Sequence, residues 1–302
     1  MTYEITRLIN ARGTIPITDE EFEKIAFARR ALLESLAIED KLDMLLENFA
    51  DVERTLLELS VHHLLFAGQE WTETRGDLQT VNRRLVNLFS TCRMYVDHLP
   101  HNLGNIFGKQ SEQVTSFKEA TSKEYDSSLG YRVLYALRNF VQHRGFPVHS
   151  LIHQGRRQDH DTGTTWRNTL TGFISVEQLA QEKQFKQEIL DELHTMGNKI
   201  DIKPLMRQCL VSIGRIHGVV RVLLRTHIED WEHLLKSVIE RFQKEFRDVL
   251  GLAVVARDDS GLLVSKHPIF DDFWERRKCL ENKNRNLTHL EWHYVSSEIV
   301  VD

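Results

Sequence analysis

Cysteine is scarce in this chain and badly placed for pairing. Cys92, Cys209 and Cys279 are odd in number and far apart, so they make neither a disulfide framework nor a knuckle of metal ligands. Long apolar runs are missing too: nothing approaches the roughly 18 consecutive apolar residues of a membrane span. The opening Met1-Thr2-Tyr3-Glu4-Ile5-Thr6-Arg7 has none of the apolar core of a secretory signal. These absences set the expectation of a cytoplasmic protein with no membrane partner. No glycine-rich loop matches a phosphate-binding or dinucleotide fingerprint. Ser60, Ser90 and Ser150 lie in no nucleophile-elbow context. No cofactor is therefore expected, and a Ser-His-Asp hydrolase has no support. A net charge of −5 does not advertise a nucleic-acid partner for the chain as a whole.

With only five prolines in 302 residues there is little to interrupt helices, and helical periodicity dominates. Thr18-Asp19-Glu20-Glu21 reads as a capping box. Leu42, Leu45, Leu46, Phe49, Val52, Leu56 and Leu59 keep the three-four beat of a helix over about 39–66. A further helix is expected over about 76–99, with Pro100 and Gly104 at its exit, and then an irregular polar stretch over 102–128, a long loop with a short helix in it. A helix over about 129–144 is stopped by Gly145 and Pro147. Two strand-like runs flanking the turn cluster 158–163 predict a β-hairpin near 148–174. Helices are expected from Ser175 to Gly197, from Pro204 to Thr226 and over 229–250. A strand-turn-strand over 252–265, a helix over 271–282 and a strand-like tail over 292–301 complete the chain. The expected fold is mainly α, an antiparallel helical bundle with small β-hairpin additions. It divides into an N-terminal helical extension (1–38), a bundle carrying the hairpin (39–250) and a small α/β extension (251–302).

Charge is unevenly spread. From Tyr131 to Arg167 there are six arginines (132, 138, 144, 156, 157 and 167) against Asp159 and Asp161, with four histidines beside them. Such a patch can draw phosphate to an acidic protein, although a solvated basic surface is the plainer reading. On a wheel of about 100° per residue, Tyr131, Arg132, Tyr135, Arg138, Asn139, Gln142 and His143 all fall within one arc of roughly 140°. Val133, Leu134, Ala136, Leu137, Phe140 and Val141 occupy the other side. One face should pack into a core while the other presents Arg, Asn, Gln, His and two Tyr. Arginine offers a permanent planar charge suited to phosphate, and histidine moves a proton near neutral pH. Together they suit cleavage of a phosphodiester without a metal, if the 2′-hydroxyl of RNA is the nucleophile.

The stretch Tyr131-Arg132-Val133-Leu134-Tyr135-Ala136-Leu137-Arg138-Asn139-Phe140-Val141-Gln142-His143-Arg144-Gly145 resembles the motif helix of the HEPN family. That signature is Arg, four to six residues, then His, usually with a polar residue just after the Arg. Here the spacing is four and the polar residue is Asn139. The two helices before it match the family's bundle in order and length, and the resemblance covers about 39–150. It implies a homodimer whose motif helices face each other, and in many members metal-independent RNA cleavage by toxins or defence effectors. An antitoxin or regulatory partner would fit such a role. Carried over, Arg138 would stabilise the phosphorane, His143 would act as acid or base or orient the phosphate, and Asn139 would position one of them. Arg132, Arg144, Arg156 and Arg157 would contact RNA. Other members serve as non-catalytic modules, so binding of RNA, a nucleotide or a protein partner is the alternative.

Histidines elsewhere carry less. His149, His153 and His160 could suggest zinc, but on strands that spacing does not converge, so no metal is expected. His62-His63 and His98/His101 read as surface or capping residues. Trp166 beside Arg167 could stack on a base, but most tryptophans serve cores.

Overall fold

The computed structural model describes residues 1–9, 13–66, 71–143, 145–160, 163–181, 185–285, 287 and 289–293. It is mainly helical, with two small antiparallel sheets, and divides into two compact units. The first comprises Met1–Lys41, His98–Phe117 and Val219–Arg285; the second comprises Leu42–Asp97, Lys118–Gly218 and Asn286–Asp302. Three long helices contribute residues to both: α1 (Asp19–Leu65), α2 (Trp71–Phe107) and α7 (Ile202–Phe246). The division therefore does not follow chain order.

The first unit opens with β1 (Thr2–Arg7) and β2 (Thr14–Ile17) where a helical extension was expected. β1 pairs antiparallel with β6 (Leu252–Arg257), Ile5 opposite Val254, and β7 (Leu263–Pro268) closes the sheet in the order β2-β1-β6-β7. Leu252 to Ala256 are all buried, so this central strand reads as a continuous apolar run. Helix α8 (Asp272–Lys283) buries Phe273 and Trp274. Thr18 Oγ1 accepts from Glu21 N at 3.1 Å, so the expected cap does start α1. Buried Glu39 receives Arg221 through both carboxylate oxygens at 2.9 and 2.7 Å.

Helices run longer than their sequence signals. α2 passes through Pro100, the expected exit, because Leu99 and Leu103 on either side are both fully buried. A proline inside a helix costs about 3 kcal/mol, which such burial can offset. α7 crosses 226–229 without a break, since neither Gly nor Pro stands there. The helix expected within the polar stretch 102–128 is α3 (Glu112–Ser127), 16 residues long where a short one was expected, which buries Val114, Phe117 and Glu124.

In the second unit α4 spans Leu129–His143, as expected. β3 (Ser150–His160) and β4 (Gly163–Ser175) form the expected hairpin, and β5 (Lys199–Asp201) extends its base in the order β3-β4-β5. Ser175 caps α5 (Val176–Ala180), and a separate α6 (Gln187–Met196) follows where one helix was expected. Between α4 and β3 the chain is pinned from α2. Asn82, fully buried, donates to the Val148 carbonyl and accepts from the Val148 N–H, each at 2.9 Å. The expected tail strand lies almost wholly outside the described residues; Leu290–Trp292 is a single turn of 3-10 helix. Among the described residues no helix is long and apolar enough to cross a membrane.

Candidate functional site

Local chemistry sets α4 in place. Ser128 Oγ accepts from the Tyr131 N–H at 3.3 Å. Gly130 lets the helix approach α7 closely: its N–H donates to Gln208 Oε1 at 3.1 Å, and a Cβ there would lie 2.5 Å from the Leu205 carbonyl oxygen. Val133, Leu134 and Leu137 are buried, Tyr135 and Arg138 are half-buried, and Asn139 and Gln142 are exposed. The face expected to be wet is narrower by one residue. Tyr131 is only 5% exposed, and burial raises its hydroxyl pKa above the ordinary value. Its ring meets Tyr125 edge-on, a contact with α3 that is invisible to a helical wheel.

Arg138 Nη1 donates to Asn139 Oδ1 at 3.2 Å, while Arg138 Nε is buried and makes no hydrogen bond. The structure thus brings these two expected residues together. His143 ends α4, but its side chain, like the whole of Arg144, lies outside the described residues.

Arg132, expected to contact RNA, is committed within the fold. Nη2 reaches both carboxylate oxygens of Glu192 at 2.7 Å, and Nη1 donates to the Tyr125 and Asp126 carbonyls at 3.0 and 2.8 Å. It ties the last turn of α3 to α6, satisfying carbonyls that the helix itself cannot. Arg156 and Arg157 stand exposed on β3, with Arg157 Nε donating to Asp159 at 2.8 Å.

Beside α4 a cavity of about 490 Å³ opens between α2, α3, α4 and α6. This lies within the roughly 300–1,000 Å³ of small-molecule sites. Arg93 lies 4.3 Å over the Tyr135 ring and donates to Asp97 at 2.6 Å. Lys186 Nζ donates to Tyr125 Oη at 2.9 Å, a bond that raises the lysine pKa. Asn139 borders this cavity, whereas Arg138 borders a separate gap of about 20 Å³ with Cys92 and Cys209. There the hydrogen bond that the Cys209 thiol makes to Cys92, reinforced by burial, raises the Cys209 pKa. Arg93, Tyr125 and Lys186 escaped the sequence reading because they come from three separate segments with no shared local pattern.

A second grouping was also missed. His63 Nε2 and Asp77 Oδ2 are 2.7 Å apart, and the His63 ring lies 5.5 Å from that of His153, whose Nε2 is buried without a partner. Each of the three sits on a different element. Of the histidines weighed for zinc, His149 Nδ1 accepts from Ser175 N at 3.0 Å and burial lowers its pKa; the His160 side chain lies outside the described residues. Among the described residues no group of three or more His, Cys, Asp or Glu side chains is arranged to hold a metal ion.

Compared with protein-family models, with curated proteins and with solved structures, the chain matches none. The resemblance to the HEPN family therefore rests on the motif helix and on the helices that precede it.

Proposed function

We propose that this chain is a metal-independent, HEPN-like endoribonuclease that works along α4, with a second copy supplying the matching α4 across a two-fold axis. The supporting observation is the Arg138–Asn139 hydrogen bond, which holds a half-buried guanidinium on the solvent side of a helix whose opposite side is core. Arg138 presents cationic N–H groups to phosphate, and Asn139 limits how far the guanidinium can swing. In the proposed step the 2′-hydroxyl attacks its own phosphorus, its proton passes to a base, and the P–O5′ bond breaks. The 5′-oxygen takes a proton from an acid, and the products are a 2′,3′-cyclic phosphate and a 5′-hydroxyl. His143 supplies one of the two proton transfers, and the partner copy's identical helix the other. Arg138 stabilises the extra negative charge of the pentavalent phosphorus.

The test is incubation of pure protein with total RNA in EDTA. Wild type should cleave. Arg138→Ala and His143→Ala should each lose at least about 100-fold, the usual cost of removing an acid–base or oxyanion group, with unchanged circular dichroism. Cleavage surviving in both variants, or wild type inert in EDTA, would overturn the reading. Sedimentation should show a dimer at micromolar concentration.

One observation favours a second reading, a non-catalytic module. The cavity is bordered by Asn139 but not by Arg138, and it brings Arg93 and Lys186 against tyrosine rings, a setting for a nucleotide that is bound and not cut. Nucleotide binding lost in Lys186→Ala, with no RNA cleavage by wild type, would select that reading.

A further inference from the structure

The β3–β4 hairpin extends well beyond its anchored base. Leu170, Thr171, Gly172 and Ile174 are buried, and β5 pairs with 173–175. Toward the turn the ribbon is two-stranded, and among the described residues none from 153 to 169 is buried. Nothing in the core requires so long an arm, so its side chains are free to be selected for something else.

The side chains there carry an energetic oddity. Arg156 stands directly opposite Arg167, so both guanidinium groups leave the same face of the ribbon. Like charges at such positions, with Cβ atoms about 5 Å apart, are unfavourable. On the other face Arg157 stands opposite Trp166. That tryptophan is 63% exposed, and its ring lies over Gly155, where a Cβ would be 3.6 Å from the indole Cε3. One side of the ring rests on the strand, and most of the residue faces solvent. Asp159, the one acid described on this arm, is engaged by Arg157 and by Thr164 Oγ1, each at 2.8 Å. The arm therefore displays repelling cations on one face and an open aromatic ring beside a cation on the other.

We infer that the distal β3–β4 ribbon is a binding arm for unpaired RNA, with Trp166 stacking on a splayed base and Arg156 and Arg167 neutralising backbone phosphates. An anion between the two arginines removes the repulsion that the free protein carries. An indole beside a guanidinium suits a base on its sugar-phosphate, since every base has a π-face. An acidic protein surface would satisfy the arginines but has no use for the ring. Paired RNA keeps its bases stacked away from such a ring. This inference rests on the reading of the protein as one that acts on RNA, and it names the form of RNA taken.

The test uses the full chain and a fluorescently labelled 20-mer of 2′-O-methyl-uridine. This oligomer lacks the 2′-hydroxyl nucleophile, so binding is measured apart from cleavage. Trp166→Ala should weaken binding about 5- to 150-fold, the range for loss of one base–aromatic stack, and Trp166→Phe should restore most of it. Arg156→Ala and Arg167→Ala should each reduce the slope of log affinity against log salt by about 0.7. Because each removes a like-charge contact, neither should lower the melting temperature, so a binding loss cannot be ascribed to unfolding. Unchanged affinity in Trp166→Ala together with an unchanged salt slope in both arginine variants would overturn the inference. So would equal binding of an RNA duplex or of poly-glutamate. If the oligomer binds through the arm but natural RNA is never cut, the arm stands and the nuclease reading falls. If RNA is cut and the arm variants bind as wild type does, the reverse holds.

Discussion

Replacing Asn82 tests how the connection between α4 and β3 is held. The Asn82 side chain is fully buried, Val148 is 1% exposed, and the two bonds between them, both 2.9 Å, satisfy the Val148 N–H and carbonyl together. In Asn82→Ala both backbone groups are orphaned in the interior, at about 1–3 kcal/mol for each group. The variant should therefore be less stable by roughly 3–5 kcal/mol, with lost packing included. Asn82→Asp separates the two bonds. A carboxylate can still accept from the Val148 N–H but repels its carbonyl, whereas the protonated acid can donate to it. Burial and that carbonyl both raise the pKa of the introduced acid, so the folded state holds the proton more tightly than the unfolded state does. Its deficit should be small at acidic pH and grow as pH rises through the raised pKa. Urea denaturation followed by circular dichroism, at several pH values, gives both quantities. Hydrogen exchange over 146–150 should show local opening in either variant. If Asn82→Ala lay within 1 kcal/mol of wild type, the claim that this side chain pins the segment would be refuted.

Two other perturbations separate structural from functional roles. Arg132→Ala should cost about 2 kcal/mol in urea denaturation, by freeing Glu192 and two α3 carbonyls, and should leave the salt dependence of RNA binding unchanged. A fall in that slope with no loss of stability would instead make Arg132 an RNA contact. Asp201 is pushed above its ordinary pKa by burial, although its Oδ1 accepts from Lys203 N at 2.9 Å. A raised carboxyl pKa means that stability falls as pH climbs through it, so Asp201→Asn, which keeps the acceptor, should melt higher than wild type at pH 7. The gain should shrink in melts toward pH 4, and a lower melting temperature at pH 7 would contradict this account.

Much of the local structure could be read along the chain. The limits of α4, the β3–β4 hairpin, the Thr18 and Ser175 caps and the strands β6 and β7 all follow from patterns within a few residues: a cap side chain, a stopping glycine, alternation around a turn. So does the division of α4 into a core side and a side carrying Arg138 and Asn139, because helical geometry alone places them. Three kinds of feature could not be read that way. Helix lengths were decided by burial, as where Leu99 and Leu103 carry α2 through Pro100. Exposure was decided by neighbours from elsewhere, as where Tyr131 is buried with Tyr125 edge-on to its ring and where Glu192 with two α3 carbonyls takes up Arg132. The cavity joining Arg93, Lys186 and Asn139, and the contacts among His63, Asp77 and His153, exist only because separate segments meet. Periodicity and capping report what a residue does within its own turn or strand. Which groups share a site depends on long-range packing, and no local pattern encodes that.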